Sequence, residues 1–483
     1  MHVALFSRCT TVAELAVLEE LIRRRPRVVA SVVIAGHLMD ALAQDEGMAT
    51  TLAGSDIEWT RSAWTTPDLT LLPDEFVQSA LAYEFEVFDD LGLRGSSLYF
   101  EGAPGARLPR IARQADLTCL ITPTPEPRTG VLTHLDMIIP CLGASGSIPS
   151  PTPTDGVSAQ VVPVDRLERR IDELMALPHC DITTPAKYLA DHVVGGPFDT
   201  SDLTSTPDPL LERKLIRIAT RLPSRPSAEV TRLVLEAAAV DSISSDAPPT
   251  LHHEVHTALI TARARIDASR RRNDDWARVS RLDWDADGYE ELQIEQPALS
   301  IVVDPHHGAR LPVLDDKTTN HPIGWLPGEP LGMLIHTTDP DGNPEDNRMT
   351  ISGIDERRDA VSVAMEALGQ PGMTVGFTVS GHLLQVDYEF GQPPRSRFGP
   401  ELPLNLGATR LRVDGGDWVE VTDPLAVTGH RFRLEGETRQ VLISTMLPTN
   451  LFLRPSDDRG VIVWPNWRVD GTGRYSIKID LNA

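Results

Sequence analysis

Residues 283–288 read DWDADG, which sets Asp283, Asp285 and Asp287 at alternate positions ahead of Gly288. Three carboxylates at that spacing open a calcium-binding EF-hand loop, where a bidentate Glu at position 12 must close the oxygen cage from the far side. Counted from Asp283, position 12 is Ile294. The residues that follow, ELQIEQ and then LSIVV, alternate polar and apolar, which is the period of a strand and not of a flanking helix. The stretch is therefore read as an acidic turn that opens a β-domain. No metal is expected, and a cation held singly by the three aspartates is the alternative. Histidine offers no better ligand set. His252 and His253 are adjacent, so on a helix they diverge by about 100° and cannot share an ion as an i, i+4 pair does. His306 and His307 fall in a predicted turn of the β-region and are equally poor ligands. Cys9, Cys119, Cys141 and Cys180 lack CxxC spacing, which suits reduced thiols in a cytoplasmic protein better than a disulfide frame or a zinc knuckle. No GxSxG, no GxGxxG after a strand and no phosphate loop occurs, so a serine nucleophile and a nucleotide site have no residues to carry them. No cofactor is expected.

Composition narrows the partners. A chain of 483 residues with 41% hydrophobic and 24% charged residues is long enough for two or three domains and is of ordinary globular type. A formal net charge of -24 argues against nucleic acid or an anionic membrane as partner, because phosphates need clustered Lys and Arg. The start, MHVALFSRCTTVAEL, lacks the basic-then-apolar pattern of a signal peptide, and no apolar run of about 18 residues occurs, so a cytoplasmic location without a membrane span is expected. Aromatic residues make up only 5% of the chain, few for a protein that grips sugar rings.

The elements that must position any site follow from hydrophobic period. In the first 200 residues, VAELAVLEELIRRR places Val12, Leu15, Leu18 and Ile22 on one helical face, and VVASVVI after Pro26 is a buried-strand candidate. DEFVQSALAYEFEVFDDLGL, SSLYF, LPRIARQA and LTCLIT continue the alternation of helix and strand. That alternation implies a parallel sheet with crossover helices, open or closed into a barrel. GASGSIPSPTPTDG, residues 143–156, reads as an irregular loop, followed by a strand AQVVPV and a helix DRLERRIDELMAL. Residues 201–276 turn helical in LLERKLIRIATRL, SAEVTRLVLEAAAV and LHHEVHTALITARARIDASRRR. Residues 277–483 are dominated by strands between Gly, Pro and Asp turns, the spacing of a β-sandwich.

The β-region carries a resemblance. WDADGYEELQIE, LSIVVDPHHGARLPVLD, FGPELPLNL and RGVIVWPNWRV resemble, in order and spacing, the C-terminal domain of the α-amylase and 4-α-glucanotransferase branch of glycoside hydrolase family 57. IAGHLMDAL, DIEWTRSAWTTPDLTLLPDEFVQ, SSLYFEGAPGARLPRI and ITTPAKYLADH resemble segments of that family's catalytic domain. The resemblance implies an incomplete (β/α)7-type barrel over residues 1–200, a helical domain over 201–276 and a β-sandwich over 277–483. It implies retaining chemistry on α-glucans or maltooligosaccharides, which needs a nucleophile and an acid/base carboxyl about 5 Å apart. Carried over by motif, Glu101 takes the nucleophile position at the end of the strand LYF, although a Glu at a strand end is most often only a solvated residue. Glu58 in IEW matches another acidic position of the pocket, and Trp59, Trp64 and Tyr99 are the aromatics expected to line a glucan groove.

The acid/base motif, Asp-Asp-Gly-Glu-Lys-Phe-Gly in the family, is missing. Asp155, before Gly156, keeps the dipeptide in a Pro-rich loop, where a plain turn residue is equally at home; Asp165 keeps the strand-end position, where a helix N-cap is the simpler reading. Only 54 residues separate Glu101 from Asp155, fewer than the family pattern uses, which implies lost barrel elements. The family's opening His-Gln-Pro and its later Trp-His-Gly segment are absent too. Three readings follow: a catalytically degenerate relative with a glucan-binding or regulatory role, which these losses favour; an active hydrolase or 4-α-glucanotransferase with a rearranged acid/base; and a scaffold subunit that binds a protein partner.

Overall fold

The computed structural model describes residues 2–62, 71–93, 95–101, 108–124, 128–134, 137–144, 157–178, 180–191, 197–198, 206–223, 226–270, 276–326, 333, 348–368, 372–391, 397–437, 439–456, 460–468 and 473–482. The chain divides into two units, Met1–Val255 and His256–Ala483.

The first unit is built on parallel strands β1 (His2–Cys9), β2 (Ser31–Ile34), β3 (Glu58–Ser62), β4 (Ser97–Tyr99) and β5 (Cys119–Pro123). They are joined by helices α1 (Val12–Arg24), α2 (Met39–Gln44), α3 (Glu46–Ala53), α4 (Asp74–Asp90) and α5 (Leu108–Gln114). A hairpin, β6 (Arg128–His134) with β7 (Met137–Ala144), takes the place of the next crossover helix, so that β7 lies parallel to β5 and β6 antiparallel outside it. β8 (Val157–Val161), α6 (Val164–Met175), β9 (Asp181–Thr183) and α7 (Pro185–Asp191) complete the barrel region. The order β6-β7-β5-β4-β3-β2-β1-β8 contains seven parallel strands, and β9 pairs the first residues of β1.

This sheet is curled. Alternation sends Val3, Leu5 and Cys9 of β1 outward, against α1 and α6, and Ala4 and Phe6 inward. Phe6 stacks on Tyr99 of β4 with ring centroids 5.0 Å apart, although β2 and β3 lie between the two strands in the sheet. A flat sheet would hold them about 14 Å apart at about 4.8 Å per strand, so the contact crosses an interior. Val33 of β2 and Ile121 of β5 join the same inner layer. At the two ends of the order, β7 comes within 8 Å of β8 between Cα atoms. Two features make this an incomplete (β/α)7-type barrel: a hairpin where a helix is due, and no hydrogen-bonded pairing of β7 with β8 among the described residues.

The outer helices follow their sequences. Thr11 caps α1 in a capping box with Glu14, Arg23 and Arg24 sit in its last turn, and Leu15, Leu18, Leu21 and Ile22 are buried. Val12, expected on that face, is 56% exposed. At 3.6 residues per turn it lies about 120° round from Leu18, at the edge of the apolar stripe. Helices α8 (Pro209–Ala219), α9 (Ala228–Ala237), α10 (Val240–Ile243) and α11 (Pro249–Arg270) follow, and the division between the units falls inside α11. No helix among the described residues is long and apolar enough to span a membrane.

The second unit is antiparallel throughout. β10 (Arg278–Leu282), β11 (Glu291–Glu295), β12 (Leu299–Asp304), β13 (Arg310–Asp316) and β14 (His321–Pro322) form one sheet in chain order. Residues 349–480 form a twelve-stranded second sheet. Leu292, Ile301 and Leu311 of the first share one core with Phe377, Tyr388, Phe432 and Ile477 of the second, the packing of a β-sandwich. Buried charges are paired: Glu295 meets Arg263 of α11 at 3.2 Å and Lys317 at 3.3 Å, and Lys317 also meets Asp267 at 2.9 Å.

Candidate active site

Inward residues of β4 and its extension run Ser97, Tyr99, Glu101, and those of β1 run Ala4, Phe6, Arg8. Phe6 and Tyr99 meet in one layer of the interior, and the next residues toward the C-terminal ends of the strands, Arg8 and Glu101, meet in the layer above. Arg8 Nη1 donates to Glu101 Oε1 at 2.8 Å, and Tyr99 Oη donates to the same oxygen at 2.6 Å. Glu101 is buried, with 10% of its side chain exposed against 30% for Arg8. A carboxyl in this setting is paired and oriented. These are the requirements for a nucleophile and equally for a group that grips sugar hydroxyls. Cys9, next to Arg8, is no competing nucleophile, because burial and then the Glu14 charge push its thiol up to about 12. Burial and then the Glu58 charge push the Cys119 thiol well up as well.

The other carboxyls do not join Glu101. The register of β3 on β4 pairs Thr60 with Ser97 and Ser62 with Tyr99. Glu58 is therefore level with Gly95, six residues before Glu101, or about 20 Å away along the strand direction. There it accepts a hydrogen bond from Ser97 Oγ at 2.9 Å, and Ser97 is 3.1 Å from Thr60 Oγ1. The expectation that Glu58 shares a pocket with Glu101 is corrected: the two stand at opposite ends of the barrel. Asp165 lies in the first turn of α6 and is exposed, and Pro163 holds the cap position expected of it. Asp155 and Trp64 fall outside the described residues.

The aromatics expected to line a groove are also placed differently. Trp59 is 2% exposed and packs outward, into the layer between sheet and helices, because it follows the inward Glu58 by one residue. Tyr99 is 4% exposed and works through its hydroxyl on Glu101, with its ring face covered by Phe6. Neither presents a ring to a pyranose. The histidine pairs are engaged within the protein as well. His252 Nε2 bonds Ser244 O at 2.8 Å, and His307 Nδ1 bonds Asp304 Oδ2 at 2.7 Å. Arg8 is the site residue that motif reading passed over. Its signal is the alternation Ala4, Phe6, Arg8, which points an arginine inward at the end of a strand.

No protein-family model matches the chain, and none of the curated proteins matches it in sequence. Among solved structures, the 4-α-glucanotransferase from Thermococcus litoralis superposes with a TM-score of 0.74 at 12% identity, covering 99% of this chain and 99% of that one. An Enterococcus faecalis protein of glycosyl hydrolase family 38 covers 100% of this chain and 85% of its own at TM-score 0.41 and 11% identity. A family 57 branching enzyme from Pyrococcus horikoshii covers 54% of this chain and 88% of its own at 0.40 and 9%. The last two scores are too low to carry any argument. From end to end, then, barrel and sandwich together, the chain has the fold of the Thermococcus litoralis 4-α-glucanotransferase.

Proposed function

We propose that the protein is an α-glucan-binding member of the glucanotransferase fold that has lost the carboxyl pair needed for retaining cleavage. One observation carries this reading. Glu101 is held at the barrel mouth by Arg8 and Tyr99, while Asp165 faces solvent from α6 and Glu58 sits about 20 Å away. Retaining cleavage requires the second carboxyl about 5–5.5 Å from the first, to protonate the leaving oxygen and later to activate water. Neither of these two described carboxyls meets that distance, and a mouth without one can still hydrogen-bond sugar hydroxyls through a charged pair, the stronger class of hydrogen bond.

The Arg8 and Tyr99 contacts also favour a second reading, an active transferase, because a nucleophile must be held and aimed. The two readings part on a single assay. Purified protein incubated with maltooligosaccharides is expected to bind them and leave their chain-length distribution unchanged. Redistribution that disappears in Glu101→Gln would establish the transferase instead. Absence of both binding and redistribution would remove both and leave the role to a protein partner.

A further inference from the structure

Residues 283–290 join β10 to β11, and the register pairs Leu282 with Glu291, so both ends of the loop are anchored in one ladder. Within it the Asp287 N–H donates to Asp285 Oδ1 at 3.2 Å, the Gly288 N–H to Asp283 Oδ2 at 3.3 Å and the Tyr289 N–H to Asp287 Oδ1 at 2.8 Å. The three carboxylates converge: one oxygen from each lies within 4.8 Å of the other two. Oxygens about 2.3–2.6 Å from a shared calcium ion stand up to about 5 Å apart, so carboxylates this close admit that ion, whereas magnesium gives up its waters reluctantly.

Surface acidic turns often look like this; the difference lies behind the loop. Glu291 is 1% exposed. Its Oε2 accepts the N–H of Trp284, the residue between Asp283 and Asp285, which turns the carboxyl toward the loop, and its Oε1 is buried with no hydrogen-bond partner. A carboxyl oxygen buried without a partner is unfavourable, and a cation on that side would satisfy it. Arg310 Nη2 lies 2.7 Å from Asp304 Oδ2 and also pairs with Asp285 Oδ2 at 3.8 Å, so one cluster carboxylate already has a partial counter-charge and Glu291 Oε1 has none. Counted from Asp283, Glu291 is position 9, the one that reaches calcium through a water in loops of this spacing.

We propose that Asp283, Asp285 and Asp287, backed by Glu291 through a water, form a calcium site that locks the β10–β11 turn of the sandwich. Ile294 at position 12 removes the bidentate ligand, so the affinity falls in the weak range, with Kd about 10⁻⁴–10⁻³ M. The test uses the full chain, with terbium as a luminescent probe sensitised by Trp284 and Tyr289, and thermal melts in calcium, in magnesium and in chelator. Terbium luminescence displaced by calcium is expected, together with a Tm rise of about 2–4 °C at about 10 mM calcium and none in magnesium. Both responses should vanish in Asp285→Asn/Asp287→Asn, and Glu291→Gln should weaken calcium about 10-fold or more, the usual loss when a ligand's outer partner goes. If the double variant does not fold, Asp287→Asn alone carries the same expectation. Identical melts in calcium and chelator with no displaceable luminescence would overturn the proposal, as would a calcium response that survives the aspartate substitutions.

Discussion

Three side chains make the candidate site, and each substitution separates one role. Tyr99→Phe keeps the ring stacked on Phe6 and removes the hydroxyl donor to Glu101, and it is expected to cost about 1.5 kcal/mol, the lower end for a hydrogen bond to a charged group. Arg8→Met removes a counter-charge of a buried carboxylate and is expected to cost more, about 2–3 kcal/mol after allowing for the solvent that reaches Arg8. Glu58→Gln, whose partner is a serine hydroxyl at the other end of the barrel, should stay within about 1 kcal/mol and leave glucan binding unchanged. Denaturant midpoints at constant slope order the three, and a loss of glucan binding in Glu58→Gln would show that the register argument misplaces that residue. At this scale Glu101 was legible, because its segment resembles a strand end that holds chemistry. Arg8 was not, because an arginine after an apolar run reads as a solvated residue until the strand's facing is known. Glu58 and Trp59 were misjudged for a related reason: motif spacing places residues in the chain, whereas register and alternation decide which end and which face of the sheet they occupy.

Close approach between elements sets a second kind of constraint. Gly95 precedes β4, and a Cβ there would lie 1.4 Å from the Trp59 carbonyl oxygen of β3. Gly95→Ala is therefore expected to force the two strands apart and to destabilise the barrel by more than about 3 kcal/mol, read as loss of soluble protein or a sharply lowered Tm. A melt close to that of the unaltered chain would contradict the strand spacing. In the sandwich, Asp316 tests its own environment by pH. Burial alone would raise its carboxyl, but hydrogen bonds from Thr318 and Arg439 and the Arg439 charge prevail and hold it down at about 2, from an ordinary 3.8. Its folded value is depressed, so its contribution is complete above about pH 4 and is lost as pH falls through 2. A decline of about 1–2 kcal/mol over that window is expected, and Asp316→Asn should flatten it. The helices and strands of both units follow hydrophobic period closely. The β6–β7 hairpin does not: Pro140 stands within its second strand, and the hairpin replaces the crossover helix that the preceding alternation leads one to expect.

Over the whole molecule, architecture was more legible than chemistry. A parallel barrel that lacks part of its closure, helices after it and a sandwich at the end follow from period and turn residues, because burial forces those patterns wherever the fold persists. Catalysis depends on the distance between two carboxyls, which no local pattern encodes, and the acid/base motif that would have marked the second one is missing. The fold is that of a glucanotransferase across 99% of both chains, at an identity of 12% that leaves function to the site. On the proposed function, this site binds α-glucan without cutting it. Its most direct test is a calorimetric titration of the protein with a maltooligosaccharide, with the chain length of the sugar read from the same cell after prolonged incubation. Saturable heat with an unchanged chain length is the predicted result; redistributed chain lengths that depend on Glu101 would contradict it.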